Sequence, residues 1–154
     1  MKRTLTFASV AAFLTGCVAT YEAPNRAEPS IVRTTSADVS KTVTAAKRVL
    51  VSMGYQVTEA DAAAGVVSTA PKKTKLSPEQ ADCGNTMGLD YLLDHRTSAE
   101  FSVGIIISGD QMVVKGSPSA EYRPGQVGQD MVLTCVSTGS IESTIADQII
   151  SSVK

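Results

Sequence analysis

Apolar residues recur at Val39, Val43, Ala46, Leu50 and Met53, at spacings of 4, 3, 4 and 3, which places them on one face of a helix. Ser36 is the predicted N-cap with Asp38 in the first turn, and Gly54 is the predicted stop. Tyr55 to Thr58 alternates as a strand, Asp61 to Gly65 carries turn residues, and Val66 to Thr69 is a β-branched run closed by Pro71, so the pair reads as a hairpin. A second hairpin follows from Phe101, Val103, Ile105 and Ile107, the turn Ser108-Gly109-Asp110, and a return over Gln111 to Lys115. A last strand is expected over Met131 to Val136. A terminal helix is expected with Ile141, Ile145, Ile149 and Val153 on one face, capped by Ser137, Thr138 or Ser140.

With a short strand at Ile31 to Thr34, the order becomes strand, helix, two strands, loop, three strands, helix. Two helical stripes are buried most simply against one face of an antiparallel sheet. The predicted fold is therefore an α+β two-layer sandwich of five to six mostly antiparallel strands with two helices on one face. Between the hairpins, residues 71–97 show no sustained periodicity beyond a helical turn at Leu89 to Leu93, and loops of that length in compact domains are functional, disordered or held down.

The N-terminus changes the picture. Lys2 and Arg3 precede an apolar run from Leu5 to Leu14, too short to span a hydrocarbon layer of ~30 Å as a helix, so the segment reads as an export signal. Leu14-Thr15-Gly16-Cys17 follows at once and resembles the bacterial lipobox. That resemblance implies removal of residues 1–16 and acylation of Cys17 by a diacylglyceryl group and an N-acyl chain, the only prosthetic chemistry expected. With Val18 rather than Asp after the cysteine, it further implies the periplasmic face of the outer membrane. Residues 17–30, with Pro24 and Pro29 and no periodicity, read as a lipidated tether reaching up to ~40 Å when extended. Residues 31–154 form one domain.

The remaining two cysteines, Cys83 and Cys135, make an even pair in an exported chain and are expected to form a disulfide, with no Cys-x-x-Cys spacing to suggest redox work. Removing Lys2 and Arg3 from the fourteen basic residues leaves twelve against fifteen acidic ones, a mature charge of about −3. That balance argues against nucleic acid, which calls for a concentrated basic face, and the short run Lys72, Lys73, Lys75 reads as a solvated loop.

Catalytic signals are weak. His95, the single histidine, could join Asp82, Asp90 or Asp94 at a metal, but zinc sites favour several Cys and His ligands. A Ser-His-Asp arrangement lacks a Gly-x-Ser-x-Gly elbow. Glu79, Asp82, Asp90 and Asp94 could supply paired carboxylates for sugar hydrolysis, although clustered loop acids are more often solvation. The absence of Trp and the 5% aromatic content weaken a sugar-stacking groove.

The stretch Leu50-Val51-Ser52-Met53-Gly54-Tyr55-Gln56-Val57, followed by Asp61 and Gly65-Val66-Val67, is similar to a helix, Gly-aromatic, strand, turn, strand unit. That unit belongs to the helix-grip domains of a lipoprotein component of the outer-membrane β-barrel assembly machinery and of related small envelope lipoproteins. The resemblance implies a sheet gripping helices and a protein that works by binding other envelope proteins. It carries over no functional residues. The expected role is a non-enzymatic lipoprotein that scaffolds or modulates a complex. The expected partner-binding loops hold Asp82, Asp90, Tyr91, Asp94, His95, Arg96 and Arg123. A carrier of a lipid or small apolar ligand, and a cell-wall hydrolase, are the alternative expectations.

Overall fold

The computed structural model describes residues 20–126 and 128–153, so the lipobox and Cys17 lie outside the described residues. In chain order the elements are β1 (Tyr21–Glu22), β2 (Ile31–Thr34), α1 (Val39–Ser52), β3 (Val57–Asp61), β4 (Val66–Thr69), β5 (Lys72–Lys73), β6 (Ala81–Asp82), β7 (Asn85–Thr86) and β8 (Leu89–Asp90). A 3-10 turn (Tyr91–Leu93) leads into β9 (Thr97–Ser108), β10 (Gln111–Tyr122), β11 (Met131–Leu133), β12 (Val136–Ser137) and α2 (Ser140–Ser152).

Helix α1 starts two residues later than its composition suggests. Asp38, not Ser36, is the N-cap, its carboxylate accepting the Lys41 N–H at 2.9 Å. Its C-terminus is a Schellman closure: Gly54 takes φ +79°, its N–H donates to the Val51 carbonyl, and the Tyr55 N–H donates to Leu50. The helix buries Val43, Ala46, Val49 and Leu50 against the sheet.

That sheet has seven antiparallel strands, one or two more than the pattern suggests, ordered β11-β10-β9-β4-β3, with β2 also on β10 and β5 also on β9. Its spine is the β9–β10 hairpin, paired without interruption from Ser108↔Gln111 to Thr97↔Tyr122. Both strands are longer than their visible alternation. On β10 the inward positions after Val114 are Gly116, Pro118 and Ala120, small residues that carry no hydrophobic signal. Pro118 is tolerated because β2 covers only residues 111–114 of β10 and β11 only 120–122, so Pro118 falls in the unpaired edge between them.

Inward-facing Phe101, Val103, Ile105, Ile107, Met112 and Val114 meet both helices, which also touch each other. This is the expected α+β two-layer arrangement. The expected strand over Met131 to Val136 is two strands: β11 pairs with β10, whereas β12 leaves the sheet to pair with β6. Nor is α2 capped by Ser137, Thr138 or Ser140. Gly139 at φ +89° begins it with no side-chain cap, and the Thr138 hydroxyl donates instead to the Glu79 carbonyl at 2.6 Å. The α2 face is turned by one position from the Ile141 stripe. Glu142, Ile145, Ala146 and Ile149 are buried, and Ile141 and Val153 only partly so.

Two further expectations are corrected. The segment 71–97 is not irregular: it holds four two-residue strands and the 3-10 turn, which occupies only Tyr91–Leu93 of the expected Leu89 to Leu93. Within the stretch expected as a tether, Tyr21–Glu22 is docked, since β1 pairs antiparallel with β7 through Tyr21↔Thr86 and Glu22↔Asn85.

Candidate functional site

Short two-residue ladders supply little cohesion of their own, so the region around residues 81–97 is held by other means. Cys83, fully buried, is joined by a disulfide to Cys135, across a separation of 52 residues, as the cysteine count predicts. The Tyr21 hydroxyl donates to the Cys83 carbonyl at 3.0 Å and accepts the Thr134 N–H at 3.2 Å, so β1 is bonded to both sides of that link. Burial pushes this hydroxyl above the ordinary tyrosine range.

Three tyrosine rings continue the structure. Tyr21 meets Tyr91 edge-on at 5.8 Å between centroids, Tyr91 meets Tyr122 at 4.9 Å, and the Arg96 guanidinium lies 5.0 Å from the Tyr122 ring centre. Tyr91 is further fixed by a 2.7 Å hydrogen bond between its hydroxyl and that of Thr86, and its carbonyl accepts the Thr97 hydroxyl.

The aspartates of this segment work on their own backbone. Asp82 accepts the Gly84 N–H at 3.0 Å, Asp90 the Leu92 N–H at 2.8 Å, and Asp94 the Arg96 N–H at 2.9 Å. Asp82 also lies 3.5 Å from Arg26. Asp94 is gripped by the Arg96 guanidinium, at 2.6 Å from Nη2 and 3.0 Å from Nε, and those bonds together with the Arg96 N–H hold its carboxyl far below the usual carboxylate range. Each of these carboxylates is thus engaged by the turn it sits in. His95 is 93% exposed and 3.7 Å from Asp94.

Asp94 and His95 do line a cleft of about 500 Å³ between residues 73–76 and 92–99, with Lys73, Lys75, Leu93 and Ser98. Of the basic run, Lys72 is turned away: its ammonium donates to the Met53 carbonyl at the end of α1 and lies 4.9 Å from the Tyr55 ring centre. Lys73 and Lys75 remain exposed at the cleft. Because Asp94 is matched by Arg96, the wall presents basic and apolar groups. Asp90, Tyr91 and Arg96 do not line the cleft: Asp90 caps the 3-10 turn, Tyr91 bonds Thr86, and Arg96 holds Asp94. Asp82 lies at the β6–β12 ladder, and Arg123 pairs with Glu121 at 2.7 Å.

The surface also displays features that the acidic composition hides. Met87, Leu89 and Leu93 are 76, 77 and 75% exposed, and Val132 on β11 is 85% exposed. Met87 is the one described non-glycine residue with positive φ, +53°, followed by Gly88 at +78°. With Thr86 opposite Leu89, these two form the tight turn of the β7–β8 hairpin, in the conformation that ordinarily selects Asn-Gly. The signal that could reveal it is the two-residue Met-Gly step between Asn85-Thr86 and Leu89-Asp90. Among the described residues, no helix is long and apolar enough to cross a membrane. Compared with models of protein families and with curated protein sequences, the chain matches none.

Proposed function

We propose that this protein is a non-enzymatic lipoprotein of the bacterial envelope, acylated at Cys17 on the periplasmic face of the outer membrane, and that its domain scaffolds or modulates a protein complex. The observation that carries the reading is the cleft. Its acid is neutralised locally, its support is covalently and aromatically braced, and Lys73, Lys75, His95 and Leu93 are left facing outward. A braced surface that exposes apolar and basic side chains fits a partner segment carrying acidic and apolar residues, because little ordering entropy is lost on docking.

The test is a mild-detergent pull-down of the natively acylated, C-terminally tagged protein, alongside the variant K73E/K75E/L93D, with proteins and lipids both read by mass spectrometry. A stoichiometric envelope protein captured by the parent and lost by the variant is the expected result. A lone protein carrying excess bound lipid would overturn the reading in favour of a lipid carrier.

A further inference from the structure

The way β1 docks bounds how far a lipid on Cys17 can lie from the domain. In the antiparallel β1–β7 pair, Tyr21 lies opposite Thr86 and Glu22 opposite Asn85, so β1, followed back from Glu22 to Tyr21, points toward the Met87–Gly88 turn. Only three residues separate Cys17 from Tyr21. At ~3.5 Å per residue, an acyl-bearing Cys17 lies within ~14 Å of the Tyr21 Cα, in place of the ~40 Å that a free tether of residues 18–30 would allow. The strand is not free to swing away, since the Tyr21 hydroxyl is bonded beside the Cys83–Cys135 link and its ring rests on Tyr91.

The hairpin at that end carries side chains unsuited to water. Met87 and Leu89 are each more than three-quarters exposed. The backbone accepts a positive φ at Met87, which an L-residue adopts only at some cost, and a Cβ at Gly88 would meet nothing within 4 Å, so the turn stands clear of the domain. Asp90, the nearest acid on the hairpin, is drawn inward to cap the 3-10 turn. Tyr21 and Tyr91 sit immediately behind, rings with an apolar body and a polar tip of the kind that settles at a bilayer interface.

We propose that the β7–β8 turn, through Met87 and Leu89, is a second contact with the bilayer that holds the Cys17 lipid, so that the domain lies on the membrane surface with this end down. The inference rests on the lipoprotein reading of Cys17. The occupant is a bilayer because a lipid on Cys17 is held within ~14 Å of Tyr21, whose strand points toward this turn. Interfacial seating of this type buries apolar side chains ~5–10 Å into the headgroup and acyl boundary and requires no transmembrane helix. It also sets orientation: with one end fixed by both lipid and turn, the cleft points in a defined direction instead of sweeping a sphere around a flexible stalk.

The chain contains no Trp, so a single introduced Trp reports its own surroundings. Leu89→Trp is compared with Ile106→Trp, a position on the helix-free face of the sheet that is also exposed. Each variant is expressed with its signal, purified acylated, and reconstituted into vesicles of phosphatidylethanolamine and phosphatidylglycerol containing a phosphatidylcholine brominated on its acyl chains. Intact mass confirms the acyl groups before each measurement. Seating at the acyl boundary predicts blue-shifted Leu89→Trp emission and loss of roughly half of it to the brominated lipid, with Ile106→Trp unaffected. Acylated protein in which both positions are equally unquenched would overturn the second contact and leave the lipoprotein reading standing. An intact mass without acyl groups would overturn both.

Discussion

Glu142 gives the sharpest test of the packing. It lies in the first turn of α2, is fully buried, and neither carboxyl oxygen has a hydrogen-bond partner among the described residues. It fits there because Gly116 on β10 lacks a Cβ. A methyl at that point would fall against the Phe101 ring and the Glu142 carboxyl. A buried polar group without a partner costs about 1–3 kcal/mol or more, whereas an acid in the first helical turn contributes about 0.3–1 kcal/mol. Glu142→Met keeps the length and removes the unpaired oxygens, so it is expected to stabilise the fold by about 1–2 kcal/mol, raising Tm by roughly 3–8 °C for a domain of this size. Urea and thermal unfolding of the two proteins at neutral pH measure it. The companion Gly116→Ala should cost about 1–3 kcal/mol through overpacking, and Glu142→Ala should recover part of that loss, a coupling that a double-mutant cycle reads directly. Destabilisation by Glu142→Met of more than about 1 kcal/mol would refute the reasoning, because the carboxyl would then have to be compensated.

Replacing both Cys83 and Cys135 by Ala opens a link spanning 52 residues and should cost up to about 4 kcal/mol by the chain-entropy model, measured as a lower urea midpoint; an unchanged midpoint would show that the link does not constrain the unfolded chain. Tyr21→Phe removes the hydrogen bonds to Cys83 and Thr134, costs about 1 kcal/mol, and should speed tryptic cleavage at Arg26, while cleavage at the parent rate would mean that β1 is not held by this hydroxyl. Asp38, Asp94 and Asp147 are held below the ordinary carboxylate range by the Lys41 N–H, Arg96 and Arg33 respectively. A lowered folded-state value gives stability that is present above the unfolded value of about 4 and lost as pH falls below it. The share that these three groups contribute to the unfolding free energy should therefore be constant near neutrality and decline from about pH 4 downward, and Asp94→Asn should remove its part of that slope.

Much of the fold is legible because its main elements follow simple periods. Large apolar residues at helical spacing and a terminal Gly54 define α1, and strict alternation from Phe101 to Ile107 defines the middle of β9. What stays hidden does so for physical reasons. The second half of β10 turns Gly116, Pro118 and Ala120 inward, where small residues make room for Phe101 and for Glu142, so a strand carries the composition of a loop. Two-residue ladders are too short to show a period at all. The disulfide is legible from cysteine economy, and the loop around Asp94 and His95 does reach the cleft. The employment of Asp82, Asp90 and Asp94 as turn caps depends on local backbone angles that composition does not carry. Lys73 and Lys75 acquire meaning only when β5 lies along β9, with Lys73 opposite Glu100, and the segment that carries them lines a cleft together with residues 92–99.

The braces at the β7–β8 end belong together physically. A two-residue ladder cannot balance the entropy of ordering its own chain, yet three such ladders, β1–β7, β7–β8 and β6–β12, meet within a few residues of Cys83. Each is attached to something it does not contain: β1 through the Tyr21 hydroxyl, β6–β12 through the Cys83–Cys135 link, and β7–β8 through Thr86 and Tyr91 to the ring stack that ends on Tyr122 of the main sheet. Removing any one attachment leaves the others to restrain the same few residues, so stability here is shared: a single substitution is expected to cost little, and a combination more than the sum of its singles. That arrangement suits a segment whose task is to hold exposed apolar side chains in a fixed place. Flexible apolar loops collapse onto the nearest core surface or recruit unintended partners, whereas Met87, Leu89 and Leu93 stand exposed on a segment restrained from several sides.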